Sequence, residues 1–420
     1  MRNRARRALL AGLVLLSTFA TAAPARADVV TDWNATAAAA LQSPGSAIPP
    51  GAGQGAISGV HLAMVHIAVY DAVNAIAGGH EPYLSSPSAE PGYSQDAAVA
   101  AAARYILLNG EMGIPAGRIP AIEAAYQATL AGVPDGPAEA GGIAVGVAAA
   151  TALDADRTGD GRFTGFVFPN GSEPGAWRPT TGMVTDPAAW LKDVRPFVLP
   201  DPDKFRANKP HSLTSRAYAV EFNEVKAIGS LNSSVRSTDQ TLAAQFWGAG
   251  NATATAANLM RSVANTDGGT VAEHARLFAR TYANVADTAI VTWRDKARYL
   301  LWRPITAIRE AASDGNPATV ADPAWTSLIA SPPYPDHPSG LSGLGCSIAD
   351  SLQYAYGTDA MGFTATNSVP TTRSYASFSQ MCDEIVEARI WSGIHFRFAD
   401  EEAEQIGRRV AHWGNRHAFR

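Results

Sequence analysis

Residues 60–76 read VHLAMVHIAVYDAVNAI. Apolar side chains recur in this stretch at intervals of three and four, which places them on one face of an α-helix. The same periodicity runs through the segments 97–108, 119–130, 217–228, 237–247, 270–282 and 287–311. Strict alternation of apolar and polar residues, which indicates β-strands, is nearly absent. The sequence therefore predicts an all-α fold.

Glycine and proline cluster in four stretches that we predict to be loops: 44–55, 85–93, 159–210 and 314–345. The third is longer than most connections in a compact domain, and loops of that length usually cover a site or dock onto another surface. We expect it to cover the functional site or a neighbouring subunit of a homodimer. Trp177, Trp190 and Phe197 are expected to anchor it to the helices. Residues 28–420 are predicted to form a single all-α domain with this long excursion.

The first 27 residues have the pattern of a secretory signal peptide. Four arginines within the first seven residues precede an apolar run at 8–16, and the segment ends in Ala-Arg-Ala at 25–27. We predict cleavage after Ala27 and a secreted protein, extracellular or periplasmic. Both the general secretory route and twin-arginine export are compatible with this leader. No later stretch is expected to span a membrane.

Composition limits the class of function. The 420 residues are 46% hydrophobic and 17% charged, with a formal net charge of −5. Such a chain can bury a large core, and it lacks the basic balance typical of nucleic-acid binding, so a small-molecule partner is favoured. Cys346 and Cys382 are either a disulfide in an oxidising compartment or two buried thiols. Two cysteines are too few for a closed zinc site.

Two cations mark the first candidate motif, WRDKARYLLWRP at 293–304. Lys296 and Arg303 are seven residues apart, which predicts that they share one face of one helix, about 10 Å apart along its axis. Two aligned cations favour an anion between them.

Two further motifs supply donors for such an anion. Ser339 and Gly340 precede an apolar helical pattern, so a hydroxyl and free backbone N–H groups are expected at the positive end of a helix dipole. Arg389 and His395 are six residues apart, off a single helical face. They can reach one centre only if Gly393 turns the chain. The region 287–400 is therefore predicted to contain an oxyanion site.

The order Lys-x6-Arg-Pro, Pro-Ser-Gly and Arg-x5-His resembles the three-part signature shared by vanadium-dependent haloperoxidases and type 2 phosphatidic acid phosphatases. The segments 64–76, 222–229 and 394–398 are similar to the exported, soluble haloperoxidase-like branch of this superfamily. The resemblance covers nearly all of residues 28–420. It implies a helical bundle of the haloperoxidase and acid phosphatase type, with vanadate as the cofactor and phosphate as an alternative occupant of the same site.

The resemblance also implies a role for individual residues. The oxygens of vanadate or phosphate would be bound by Lys296, Arg303, Arg389, the Ser339 hydroxyl and the Gly340 N–H. His395 would be the axial ligand of vanadium, or the nucleophile in a phosphatase. Asp400 is a candidate to orient the imidazole of His395, although it lies one residue further along than in the phosphatase pattern.

One position departs from the signature. Leu341 follows the Ser-Gly pair where the family has a histidine that acts as acid or base, and leucine holds no proton to transfer. His337 is the nearest other imidazole. It is the candidate catalytic replacement, the alternative being a histidine that only supports the loop.

Three functions follow from this pattern. A secreted haloperoxidase would use hydrogen peroxide to oxidise bromide or chloride and would halogenate a small organic acceptor. A phosphatase would hydrolyse phosphomonoesters with His395 as nucleophile. A protein that lost acid and base function at Leu341 would bind oxyanions without turnover.

Overall fold

The computed structural model describes residues 28–41, 54–180, 186–248, 251–367 and 371–420. The helices in these ranges are α1 (Val29–Leu41), α2 (Gln54–Ala77), α3 (Gln95–Asn109), α4 (Ile119–Leu130), α5 (Pro137–Arg157), α6 (Arg216–Ile228), α7 (Thr238–Gly248), α8 (Ala252–Ala264), α9 (Val271–Tyr299), α10 (Pro304–Glu310), α11 (Gly340–Tyr356), α12 (Phe378–Trp391) and α13 (Arg397–His417). Strands β1 (Phe363–Thr366) and β2 (Thr372–Tyr375) pair antiparallel. The all-α prediction is confirmed. The predicted signal peptide, residues 1–27, lies outside the described residues.

Helix α9 is the centre of the bundle. It starts with a capping box, in which the Thr270 side chain accepts the backbone N–H of Glu273 and the Glu273 carboxylate accepts the N–H of Thr270. Most of its residues are buried, because α2, α11 and α13 pack around it. Helices α11 and α13 also pack on each other, which brings the carboxyl-terminal half of the chain to the side of α9 where the site forms.

The helix predicted across 287–311 is broken. Helix α9 ends at Tyr299, Leu300 has a left-handed conformation with φ 47°, and α10 begins at Pro304. Proline disfavours helical geometry in the residue before it, and Arg303 is accordingly extended with ψ 155°. Lys296 and Arg303 therefore lie on successive helices, and the prediction that they share one helical face is wrong.

The long excursion is held against α9. Trp177, Trp190 and Phe197 are buried, as predicted. The buried carboxylate of Asp287 accepts the backbone N–H groups of residues 197–199 at 2.6–2.8 Å. Since three donors converge on one carboxylate, this part of the excursion is fixed to the middle of α9.

Two helices of the described residues, Gly55–Ala77 and Pro137–Arg157, are long and apolar enough to cross a membrane by length and composition. The apolar window of the first is entirely buried inside the protein, and that of the second is 39% buried. A helix that is apolar on all sides is typical of a large protein core. The sequence predicted a helix at 60–76, but the expectation that no later stretch has the length and apolar composition of a membrane span is wrong for Gly55–Ala77, which packs against α9.

Cys346 on α11 and Cys382 on α12 form a disulfide, with Cα atoms 4.8 Å apart. The two helices approach closely beside it, because a Cβ atom at Gly345 would lie 2.4 Å from the Cδ1 of Ile385. The bond thus decides between the two alternatives that the sequence left open. It ties α12, which carries Arg389, to the helix that follows the Ser-Gly motif.

Replacing both cysteines by alanine is expected to lower the free energy of unfolding by about 3–4 kcal/mol, because the bond joins residues 36 apart in the unfolded chain. Denaturant unfolding of the variant and of oxidised wild type measures this change. Wild-type protein reduced with a thiol is the control for packing lost with the buried sulfur atoms. Equal midpoints for all three proteins would contradict the prediction.

Candidate oxyanion site

Four helix ends meet at one buried point of the bundle. They carry Lys296 in the last turn of α9, Arg303 directly before α10, Arg389 in the last turn of α12, and His395 directly before α13. Each of these side chains is at most 7% exposed. Nη1 of Arg303 lies 3.1 Å from Nε2 of His395, and the charges of all three cations act on this imidazole. The structure therefore brings together four residues that the sequence assigned to the oxyanion.

The turn that joins Arg389 to His395 depends on one glycine. Gly393 has φ 77°, a conformation that side chains disfavour, and a Cβ atom there would lie 2.3 Å from the carbonyl oxygen of Gly229. The chain thus turns at Gly393, as the six-residue spacing required.

Ser339 and Gly340 form the amino-terminal end of α11, as predicted. Ser339 is the residue before the helix, and its hydroxyl donates to the hydroxyl of Ser342 at 3.2 Å. A Cβ atom at Gly340 would lie 3.2–3.3 Å from the ring of Trp293, so the small residue lets the indole approach. The first N–H groups of α11 have no acceptor within the helix and carry its positive dipole end.

The ammonium group of Lys296 makes contacts that the sequence did not predict. Its ammonium group donates to the carbonyl oxygens of Pro335, Asp336 and Pro338 at 2.7, 3.1 and 2.5 Å. Burial, followed by the charge of Arg303, lowers the pKa of Lys296 well below its ordinary value. Three carbonyl acceptors nevertheless match the three N–H bonds of the ammonium form. Lys296 thus contributes its charge to the site and holds the loop that leads into α11.

Two arginine nitrogens at this site, Nη2 of Arg303 and Nε of Arg389, have no acceptor among the described residues. Arg303 donates from Nε to the carbonyl of Tyr334 at 2.7 Å and from Nη1 to that of Ile394 at 2.8 Å, while its Nη2 has no partner. Arg389 donates from Nη1 to the carbonyl of Trp247 at 3.3 Å, while its Nε has none. Buried donors without an acceptor are costly and call for a ligand or water. These two atoms are suited to an anion.

Three buried carboxyl groups surround the cations. Asp186 comes from the long excursion and accepts the indole N–H of Trp293 at 3.0 Å, Asp336 precedes α11, and Asp400 lies in the first turn of α13. Burial raises the pKa of Asp186 and Asp336 to about 7 and that of Asp400 to about 8. Nearby cations oppose that rise in each case. Sequence reasoning missed Asp186 and Asp336, because neither stands in a motif or a periodic segment.

Asp336, rather than Asp400, lies beside His395. Its Oδ1 atom is 2.9 Å from Nδ1 of the imidazole, whereas Oδ1 of Asp400 accepts the hydroxyl of Ser342 at 2.8 Å. The sequence-based role of Asp400 in orienting His395 does not match this geometry. Burial and then the charges of the three cations lower the pKa of His395 well below its ordinary value. This shift favours the neutral imidazole, which has a nitrogen lone pair that can bind a metal or phosphorus.

His337 is directed elsewhere. Its Nε2 donates to the carbonyl oxygen of Asn208 at 2.8 Å, and its ring packs between those of Tyr299 and Phe398. Burial lowers the pKa of His337 to about 4. This imidazole supports the loop before α11, so the geometry gives no support to the catalytic role predicted for it.

Leu341 lines a cavity of about 440 Å³ that adjoins the cation cluster. Arg389 and Gly340 line the same cavity, so the two sites share a wall. Most of the remaining lining is apolar, and Leu341 itself is half-buried. The position where the family signature has a histidine is thus part of an apolar surface.

Comparison with known sequences places this region in a described family. A family model described as the VCPO second helical-bundle domain matches residues 276–420, which contain the cation cluster. The vanadium chloroperoxidase of Curvularia inaequalis is 32% identical over 95 residues, which are 20% of this chain and 15% of that enzyme. The matched segment therefore spans less than a sixth of the curated relative.

Solved structures extend the likeness to the whole fold. The crystal structure titled as the first bacterial vanadium-dependent iodoperoxidase superposes with a TM-score of 0.76 at 20% identity, covering 93% of this chain and 95% of that one. A holo-type bacterial vanadium-dependent chloroperoxidase gives 0.72 at 15% identity, with 90% and 94% covered. The chain therefore has the fold of these bundles, and its residues 276–420, which carry the four converging helix ends, match the family model of the VCPO second helical-bundle domain.

Proposed function

We propose that this protein is a secreted, vanadate-dependent haloperoxidase that uses hydrogen peroxide to oxidise halide to a halogenating species. The observation that carries the proposal is the pair of buried, unpartnered donors on Arg303 and Arg389 next to the neutral imidazole of His395. The match of residues 276–420 to the family model and the similarity to a vanadium chloroperoxidase support the same interpretation. Since the named relatives include a chloroperoxidase and an iodoperoxidase, chloride, bromide and iodide are all candidate substrates.

The residues present fit an oxyanion cofactor. Its oxygens would be held by Arg303, Arg389, the Ser339 hydroxyl and the amino-terminal N–H of α11 at Gly340, with Lys296 adding charge from behind the loop. His395 would bind vanadium through Nε2 in exchange for its present contact with Arg303. When bound, vanadate supplies a Lewis-acidic centre at which peroxide is activated toward halide.

Proton transfer must come from a group other than residue 341. Ser339 donates to Ser342, and Ser342 donates to Asp400. Two hydroxyls therefore connect a carboxyl group to the oxyanion cradle, by which we mean Arg303, Arg389, Ser339 and Gly340. Burial keeps the pKa of Asp400 near 8, which allows this carboxyl to hold or release a proton near neutral pH. We propose that the Ser339–Ser342–Asp400 chain supplies the acid and base function that Leu341 lacks.

A phosphatase is the second candidate function, and the contact between Asp336 and His395 favours it. The Oδ1 atom of Asp336 lies 2.9 Å from Nδ1 without forming a hydrogen bond, and a negative charge there would stabilise the cationic phosphohistidine. Leaving-group protonation would then depend on the same hydroxyl chain. The phosphatase and the haloperoxidase thus share a cradle and differ in the reaction that His395 supports.

Replacing Arg303 by glutamine is expected to lower vanadate-dependent bromide or iodide oxidation about 100-fold, because a buried donor to the oxyanion is lost. Arg104→Gln, which removes a half-exposed ion pair with Glu123, is the matched control and keeps full activity. Halogenation of a reporter with hydrogen peroxide, with and without vanadate, measures the effect for each halide.

An absence of halide oxidation after vanadate loading would overturn the haloperoxidase proposal. Release of phosphate from a simple phosphomonoester, inhibited by vanadate and lost in Asp336→Asn, would then establish the phosphatase. Vanadate binding without either activity would leave the oxyanion-binding function alone.

Affinity for sulfate, a dianion at every pH between 5 and 9, is expected to fall about tenfold from pH 6 to pH 9. Below its raised pKa of about 8, Asp400 is neutral, and above it the carboxylate competes with the anion for the same cations. Asp186 and Asp336, with pKa values near 7, act in the same direction. Titration calorimetry on wild type and Asp400→Asn measures the dependence.

The Asp400→Asn variant should keep higher sulfate affinity at pH 9 and a flatter profile. Asp350→Asn, on the far part of α11, is the control and should follow wild type. Sulfate affinity that rises with pH in wild type would contradict the charge argument.

Replacing Ser342 by alanine is expected to lower halide oxidation 10- to 100-fold, on the order expected for lost acid–base catalysis, with sulfate affinity unchanged. The matched control is Ser347→Ala on the same helix, which removes a buried hydroxyl that has no hydrogen-bond partner among the described residues. Unchanged turnover in Ser342→Ala would rule out the hydroxyl chain as the proton path.

A further inference from the structure

We propose that the apolar cavity beside the oxyanion site binds the organic acceptor, an uncharged, elongated molecule with an electron-rich ring at one end and an apolar tail at the other. The inference rests on the proposed haloperoxidase function, because it names the acceptor class for that reaction. It does not rest on the halide used.

The cavity extends along the helices that line it. Tyr282 and Trp293 on α9 both line it and are eleven residues apart, which corresponds to about 16 Å along the helix. On α12, Met381 and Arg389 are eight residues apart, or about 12 Å. Trp293 also contacts Gly340, so the cavity extends from the oxyanion cradle along α9.

The chemistry of the walls selects an uncharged, apolar ligand. Among the described residues that line the cavity, Arg389 is the one that carries a charge. Apolar side chains on the other walls include Leu62, Phe246, Leu259, Val285, Leu344 and Ile385. Apolar surface that enters such a cavity is removed from water, whereas a charged tail would lose its hydration without a partner. A volume of about 440 Å³ lies in the range of small-molecule sites.

Arg389 determines which end of the ligand faces the oxyanion site. Its Nε would be taken up by the oxyanion, so the end of the ligand nearest the oxyanion site faces the positive charge of the guanidinium. Its positive charge would repel a cationic head group. Leu341 continues the apolar wall up to the cradle, so an aromatic ring contacts leucine there rather than an imidazole. The ring would thus lie next to the place where the halogenating species forms.

The overall chemistry balances. Hydrogen peroxide, a halide ion and a proton give hypohalous acid and water, with the halide oxidised and the peroxide reduced. Hypohalous acid then forms a carbon–halogen bond at the ring, the ring C–H bond breaks, and the released proton joins the hydroxide to form a second water.

Binding is tested first, without added vanadate, with 4-heptylphenol and phenol as the probes. Quenching of tryptophan fluorescence reports binding, because Trp247 and Trp293 line the cavity. We expect 4-heptylphenol to bind at least about 100-fold more tightly than phenol, since each buried methylene contributes severalfold. Ala256→Phe, which fills the cavity from its half-buried wall on α8, should weaken that binding at least tenfold. Ala148→Phe, an exposed site on α5 outside the cavity, is the matched control and should bind as wild type does.

Competition between the two phenols then tests the acceptor role. With vanadate, peroxide and bromide, wild type should brominate 4-heptylphenol in preference to phenol by at least tenfold beyond the ratio given by hypobromous acid alone. Ala256→Phe should lose this preference and keep its rate of bromide oxidation. A product ratio equal to that of free hypobromous acid, or heptylphenol binding unaffected by Ala256→Phe, would overturn the inference.

The experiment separates the two proposals. Tight, Ala256-sensitive binding of 4-heptylphenol supports the cavity assignment even if halide oxidation fails, which would overturn only the proposed function. A third probe, 4-heptylphenyl phosphate, carries the same apolar tail on a phosphomonoester. It tests whether the cavity binds a phosphatase substrate instead. Its hydrolysis in preference to phenyl phosphate, without halogenation of the free phenol, would overturn the assignment of a neutral acceptor.

Discussion

Three cationic side chains are buried at one point of the bundle, and the surrounding structure is arranged to balance their charge. An isolated ion in a protein interior costs several kcal/mol even after relaxation, so Lys296, Arg303 and Arg389 require partners that water cannot supply there. Carbonyl oxygens of the loop before α11 satisfy Lys296, and backbone carbonyls accept two hydrogen bonds from Arg303 and one from Arg389. Three buried carboxyl groups with raised pKa values lie beside the cations and add negative charge only as the pH rises through about 7 to 8. The buried nitrogens without an acceptor among the described residues of the site, Nη2 of Arg303 and Nε of Arg389, are where an external anion can bind.

This charge balance explains why the site lies at helix ends rather than along helix faces. Within a helix, backbone carbonyls are used by the helix itself, whereas the loops before α11 and α13 and the last turn of α7 present theirs to the cations. The break at residues 300–303 is therefore part of the site. Because Pro304 forces Arg303 out of helical geometry, the arginine reaches the carbonyls of Tyr334 and Ile394, which one continuous helix past Lys296 would not have allowed.

The helices and the cation-bearing motifs were predictable because their signals are local. Apolar periodicity located α3, α4 and α6 to within two residues, and the turn at Gly393 followed from the spacing of its neighbours. The carboxyl groups carried no such signal. Asp186 lies in an excursion, and Asp336 lies among prolines. Their proximity to the cations depends on tertiary packing, which brings a loop from the first half of the chain to the end of α9.

Leucine at position 341 affects both proton exchange and the lining of the cavity. It removes the imidazole that would exchange protons on the cavity side of the oxyanion, and it completes an apolar wall along that side. A protonatable side chain beside an apolar acceptor would be unfavourable, because its charged form loses hydration in apolar surroundings. The remaining groups that can hold a proton lie on another wall, where Ser342 connects Ser339 to Asp400. We infer that the site separates its two tasks, with proton exchange through the hydroxyls of α11 and acceptor binding against Leu341.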